Sequence, residues 1–155
     1  MKLLLPADLR ARIEGETREA FPRECCGLIE GTRQAGEALA IALHPARNIA
    51  ARADRFEIAP QDHFTALKTA RANGRGLIGC YHSHPNGDAA PSATDLAGAG
   101  EEDFLWLIAS LSARDAPVTF AAFVYSGAVF LPANLSGAVG AVGADLVTSS
   151  EKARS

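Results

Sequence analysis

The stretch from Gly76 to Asp95, Gly-Leu-Ile-Gly-Cys-Tyr-His-Ser-His-Pro-Asn-Gly-Asp-Ala-Ala-Pro-Ser-Ala-Thr-Asp, constrains the fold more than any other part of the chain. Gly76 to Tyr81 carries no charge and reads as a strand of the buried type. It runs directly into His82, Ser83 and His84, so the two imidazoles project to one face of the strand and Ser83 to the other. Pro85, Asn86, Gly87 and Pro91 then impose an irregular loop. Ser92 with Asp95 reads as a capping box that opens a short helix through Ala99. A loop rich in Pro and Gly can fold the first turn of that helix back over the strand end. Two neutral imidazoles and one carboxylate are three of the four ligands that a tetrahedral zinc accepts, which leaves a position for water. Taken singly, Ser92-x-x-Asp95 is only a helix cap and a His-x-His pair is more often a surface feature. Their pairing across one loop is what points to a metal site at His82, His84 and Asp95.

The rest of the chain reads as alternating elements. Residues 7–21 follow Pro6, carry Leu9, Ile13 and Phe21 on a helical period, and stop at Pro22. Cys25 to Gly31 is a short apolar run and Glu37 to His44 alternates, so the two are expected to form a hairpin with its turn from Gly31 to Gly36. Phe56 to Ile58 is expected as a further strand. Pro60 opens a second helix that Asn73 and Gly74 end. Leu105 to Leu111, Val118 to Tyr125 and Ala128 to Leu131 are expected as three more strands. This order implies an α/β or α+β single domain with a central mixed β-sheet flanked by helices. Residues 1–132 are expected to form that domain. Residues 133–155, mostly Ala, Gly, Val and Ser, are expected to be a flexible C-terminal tail.

Composition narrows the function. The 155 residues fit one domain, and a net charge of −3 with scattered Lys and Arg gives no stripe for nucleic acid. No apolar stretch approaches the length of a membrane span, and the apolar run after Met1 is too short for a signal-peptide core, so a cytoplasmic location is expected. Three cysteines, two of them adjacent, argue against a disulfide framework. Cys25 and Cys26 read as small buried hydrophobes; Cys80 could share the face of His82 if the strand is regular. Gly74-x-Gly76-x-x-Gly79 matches the dinucleotide-binding fingerprint, but its glycines end a helix and lead into a strand, the reverse of what that site needs. His44 and His63 read as a strand-end residue and a partly exposed helix residue.

His82-x-His84 and Ser92-x-x-Asp95, with an upstream acid in Pro22-Arg-Glu24-Cys-Cys-Gly27, resemble the signature of the JAMM (MPN+) metalloproteases, an N-terminal Glu, then His-Ser/Thr-His-Pro, then Ser-x-x-Asp. The likeness extends from the opening helix to Leu131 and includes Asn48 and the run Arg55 to Ile58. It implies a cytidine-deaminase-like JAMM/MPN architecture and one Zn2+ per chain, held by His82, His84 and Asp95. It also implies Glu24 as the base on the water and Ser92 as the oxyanion donor. Nothing in the residues themselves singles out Glu24 among the acids. Relatives that cut linkage-specific ubiquitin chains carry insertions near the site, one of them after the metal-binding aspartate, and Leu96 to Asp103 leave no room for one. The resemblance therefore implies a small prokaryotic enzyme acting on a ubiquitin-like β-grasp protein with a C-terminal Gly-Gly, a sulfur carrier or a modifier. The alternatives are a metallohydrolase on other peptides and a non-catalytic docking scaffold. A cytosine-type deaminase is excluded because its His-x-Glu and Pro-Cys-x-x-Cys pair is absent.

Overall fold

Alternating residues on one strand and an apolar run on the other make a long hairpin, and the computed structural model, which describes residues 1–137, builds the sheet outward from it. In chain order the elements are β1 (Lys2–Leu4), α1 (Ala7–Ala20), β2 (Cys26–Gln34), β3 (Glu37–Ala46), α2 (Pro60–Ala72), β4 (Gly76–His84), α3 (Ala93–Gly98), β5 (Leu105–Ser110), β6 (Thr119–Tyr125) and β7 (Phe130–Ser136). The sheet order is β1-β3-β2-β4-β5-β6-β7, closed into a barrel by β1. β1 pairs parallel with both β3 and β7, β4 pairs parallel with β5, and the remaining pairs are antiparallel. The mixed sheet with helices against it is the architecture expected from the sequence.

Closure and β1 were not expected. A three-residue strand has no readable period, yet Leu3 and Leu5 are fully buried. Burying each is worth about 1.5–3 kcal/mol, enough to hold so short a segment in place. The strand expected at Phe56 to Ile58 does not form; only Ile58 makes an isolated bridge, to Asn48. The Asn48 side chain takes the Arg55 carbonyl and the Glu57 N–H, backbone groups that a ladder would otherwise use. The last strand runs through Ser136, so the ordered domain extends past residue 132. The remainder of the expected tail, residues 138–155, lies outside the described residues.

The barrel interior is filled by Leu3, Ile29, Tyr81, Leu105 and Leu107, and α1 closes over it with Leu9 and Ile13. Tyr81 has no exposed surface, and its hydroxyl donates to Glu16 Oε1 at 2.8 Å. Its ring lies so close to Gly27 that a Cβ there would overlap it. On the outer face a second cluster joins Leu28, Cys80 and Trp106 to Ala66 of α2. α2 is tied down at its end by Glu30, which is fully buried. Its carboxylate accepts from Asn73 Nδ2 at 3.0 Å, Arg75 Nε at 2.9 Å and His44 Nε2 at 2.7 Å. His44 is thus a hydrogen-bond partner of a buried carboxylate rather than a plain strand-end residue. No helix among the described residues is long and apolar enough to cross a membrane.

Candidate metal centre

The antiparallel register of β2 against β4 sets Cys26 opposite His82, and this brings Glu24, just before β2, to the histidine end of β4. Glu24, His82, His84 and Asp95 are all buried, while Ser92 is exposed at the N-cap of α3. The sequence pattern alone could not reveal this approach, because strand register between distant segments is a tertiary outcome.

One carboxylate oxygen of Glu24 and one nitrogen of each imidazole lie within 4.8 Å of one another. Asp95 closes the group, with Oδ1 3.2 Å from His82 Nε2 and Oδ2 3.1 Å from His84 Nε2. The two Nε2 atoms are 2.9 Å apart. Two nitrogens bound to one tetrahedral zinc at about 2.0–2.1 Å would sit roughly 3.3 Å apart, so the imidazoles already converge almost as such a metal demands. His84 Nδ1 lies 2.9 Å from the Asp88 carbonyl. A carbonyl only accepts, so Nδ1 carries a proton, and Nε2, the nitrogen that faces Asp95, is the one His84 would offer a metal on losing its own proton.

Two buried polar atoms of this group make no hydrogen bond, Glu24 Oε1 and His82 Nδ1. Buried oxygens and nitrogens are seldom left unpaired. An inward-facing set of two imidazoles and carboxylates, one with an orphaned oxygen, could hold a metal ion, and it fits zinc best among common cations. Cys80 does not join it. Its side chain packs with Leu28 and Trp106 in the outer cluster, and burial pushes its thiol pKa well up, as suits an inert core cysteine.

The surroundings set the charges. Burial pushes the Glu24 carboxyl up to about 7; Asp95 and Asp54 push it the same way and His84 opposes them. Burial would raise Asp95 too, but hydrogen bonds from His82 and His84 outweigh it and hold its carboxyl well below the usual carboxylate range. Burial lowers His82. Burial would also lower His84, but Asp95 and the Asp88 carbonyl together raise it. Glu24 and Asp95, two carboxyls in one pocket, are therefore driven in opposite directions, the pattern that separates a proton carrier from a fixed anion.

The aromatic frame was not visible in the sequence. Phe56 stacks on His82 with ring centroids 4.2 Å apart and planes at 22°, and Trp106 meets the same imidazole edge-on at 5.8 Å. Beside Asp95 these rings line a cavity of about 320 Å3 that also includes Leu28, Cys80 and Phe104. Ser92 Oγ accepts from the Asp95 N–H at 3.0 Å, and Asp95 Oδ2 accepts from the Ser92 N–H at 2.8 Å, so the capping box forms and at the same time orients Asp95. A hydroxyl that accepts a bond keeps its own proton to donate.

Residues 6–123 match the family described as prokaryotic homologs of the JAB domain. The chain is 35% identical over 118 residues to a desampylase of Haloferax volcanii, a match covering 73% of this chain and 84% of that protein. It is 32% identical over 95 residues to a probable TtuB-protein conjugate cleaving protease of Thermus thermophilus, covering 61% of each. The solution structure of a Desulfitobacterium hafniense protein superposes with a TM-score of 0.75 at 28% identity, over 86% of this chain and 92% of that one.

Proposed function

From the premise that this chain belongs to the prokaryotic homologs of the JAB domain, we propose that it is a zinc-dependent peptidase or isopeptidase. Its substrate is a small ubiquitin-like or sulfur-carrier protein, cleaved after the C-terminal Gly-Gly to process or release it. The observation that carries the reading is the convergence of Glu24, His82, His84 and Asp95 in one buried group. The names of the two relatives favour a conjugate-cleaving role. The segment from Ala99 to Phe104, which joins α3 to β5, is too short to carry a chain-clamping insertion, which favours a small substrate over a ubiquitin chain.

In this reading His82, His84 and Asp95 hold one zinc per chain, which when bound supplies a Lewis acid that acidifies water and polarises a carbonyl. Glu24 takes the proton from the attacking water on its carboxylate. A buried carboxyl beside the attacking water can accept that proton and pass it on to the leaving amine. One proton therefore moves from water to Glu24 to nitrogen, and the carboxylate is regenerated. Asp95, held ionised, does not compete for it. Ser92 donates a hydrogen bond from its hydroxyl to the carbonyl oxygen as negative charge develops there. A groove beside such a site admits a tail without side chains more readily than a bulky one, and an extended tail can bond through its backbone.

The test is a panel of linear and isopeptide-linked fusions of Gly-Gly-ended ubiquitin-like proteins, incubated with the protein, with the protein plus chelator, and with a Glu24→Gln variant. Cleavage after Gly-Gly that chelator and the substitution both abolish is the expected result. Cleavage by none of the panel, or cleavage indifferent to both, would remove the reading.

A further inference from the structure

The proposed reaction, on which this inference rests, needs Glu24 held steadily beside the imidazoles. Its Oε1 makes no hydrogen bond, so the aim of the side chain has to come from the backbone that carries it. That backbone is gripped in an unusual way. The peptide group joining Glu24 to Cys25 is bonded at both ends by side chains: its carbonyl accepts from Asn48 Nδ2 at 2.9 Å, and its N–H donates to Ser83 Oγ at 2.8 Å.

The two side chains come from the two other parts of the site. Ser83 stands between His82 and His84 on β4, almost fully buried and turned to the face opposite the imidazoles; its own N–H donates to the Cys25 carbonyl at 3.0 Å. Asn48 lies between β3 and α2. Its Nδ2 also donates to the Arg55 carbonyl at 3.1 Å, and its Oδ1 accepts from the Ala50 and Glu57 N–H groups, each at 3.0 Å. Those bonds bracket Phe56, whose ring stacks on His82. One peptide unit therefore ties together the segment bearing the base, the strand bearing two candidate ligands and the ring packed on one of them.

We propose that Ser83 and Asn48 are a pair of positioning residues, a clamp on the Glu24–Cys25 peptide that fixes the base relative to the metal ligands. Neither touches the reacting atoms. Both act through Glu24, in the way outer partners orient the working groups of metal sites.

The test uses the full chain loaded with zinc. Ser83→Ala and Asn48→Ala are each expected to lower kcat on a Gly-Gly fusion by about 10–100-fold, with KM within about twofold of the wild type and zinc content unchanged. Ser83→Thr keeps the oxygen and suits a strand, so it is expected to recover kcat to within about threefold. A kcat within about threefold of wild type in both alanine variants would overturn the clamp. So would a loss of zinc, which would mark a merely structural role. Amide hydrogen exchange tests the clamp apart from activity: the Cys25 N–H is expected to exchange at least about tenfold faster in Ser83→Ala while core amides such as Leu107 are unchanged. Unchanged Cys25 protection overturns it. If the wild type cleaves no Gly-Gly fusion, the proposed function fails, and the exchange result alone decides the clamp.

Discussion

Replacing Glu24 should make the metal-stripped protein more stable at alkaline pH. The carboxyl of Glu24 is pushed from its ordinary 4.5 up to about 7, mainly by burial. A group whose folded pKa is raised favours folding while it stays protonated, and that contribution is lost as pH climbs through the folded value. The window is therefore about pH 4.5 to 7, with stability declining across it. A rise of about two and a half pKa units at about 1.36 kcal/mol each gives a ceiling of about 3.4 kcal/mol. Because water can screen part of this charge, roughly half, about 1.5–2 kcal/mol, is the working figure. Gln mimics the neutral acid at every pH, so Glu24→Gln should unfold at a higher urea midpoint than the wild type at pH 8, by about 1 M for a typical slope, and at nearly the same midpoint at pH 4.5. Urea melts of both proteins in excess chelator measure this directly. A variant no more stable at pH 8, or one with the same advantage at both pH values, would refute the argument that burial sets the acidity of Glu24.

Other substitutions separate the roles of neighbouring residues. Ser92→Ala should lower kcat by about 10²–10³-fold through loss of one oxyanion donor and cost about 1 kcal/mol of stability through loss of the cap, with zinc content unchanged, as steady-state kinetics and metal analysis would register. Phe56→Ala removes the ring packed on His82 and should weaken zinc affinity by about 10–100-fold, measured by competition with a chromogenic chelator. Glu30→Ala leaves Arg75, Asn73 and His44 facing an empty buried site and should cost about 3–5 kcal/mol in a urea melt without changing the zinc content of the folded protein.

What could be read from the sequence was what is local along the chain. His82, His84, Ser92 and Asp95 fall in one strand-loop-helix segment, where a period of two and a capping box carry positional meaning, and the structure brings Asp95 against both imidazoles. Glu24 could be reached only through the family resemblance, because its approach depends on the β2–β4 register, which no pattern in either segment encodes. The Phe56 segment was misread as a strand because its alternation was visible and the Asn48 side chain that takes its backbone groups was not. Barrel closure was missed for a related reason: β1 is three residues long and is held by burial and two partner strands rather than by any repeat. Ser83 and Glu30 illustrate the same limit. Their hydrogen-bond partners lie far away in sequence.

The central claim is that a zinc held by His82, His84 and Asp95 serves a reaction in which Glu24 carries the proton. It is tested most directly by titrating chelator-stripped protein with zinc while following cleavage of a Gly-Gly-ended ubiquitin-like fusion. The account predicts activity rising from zero to a break at one zinc per chain, and no activity in Glu24→Gln even though that variant takes up the same single zinc. Cleavage that does not depend on added zinc, or an active Glu24→Gln protein, would contradict it.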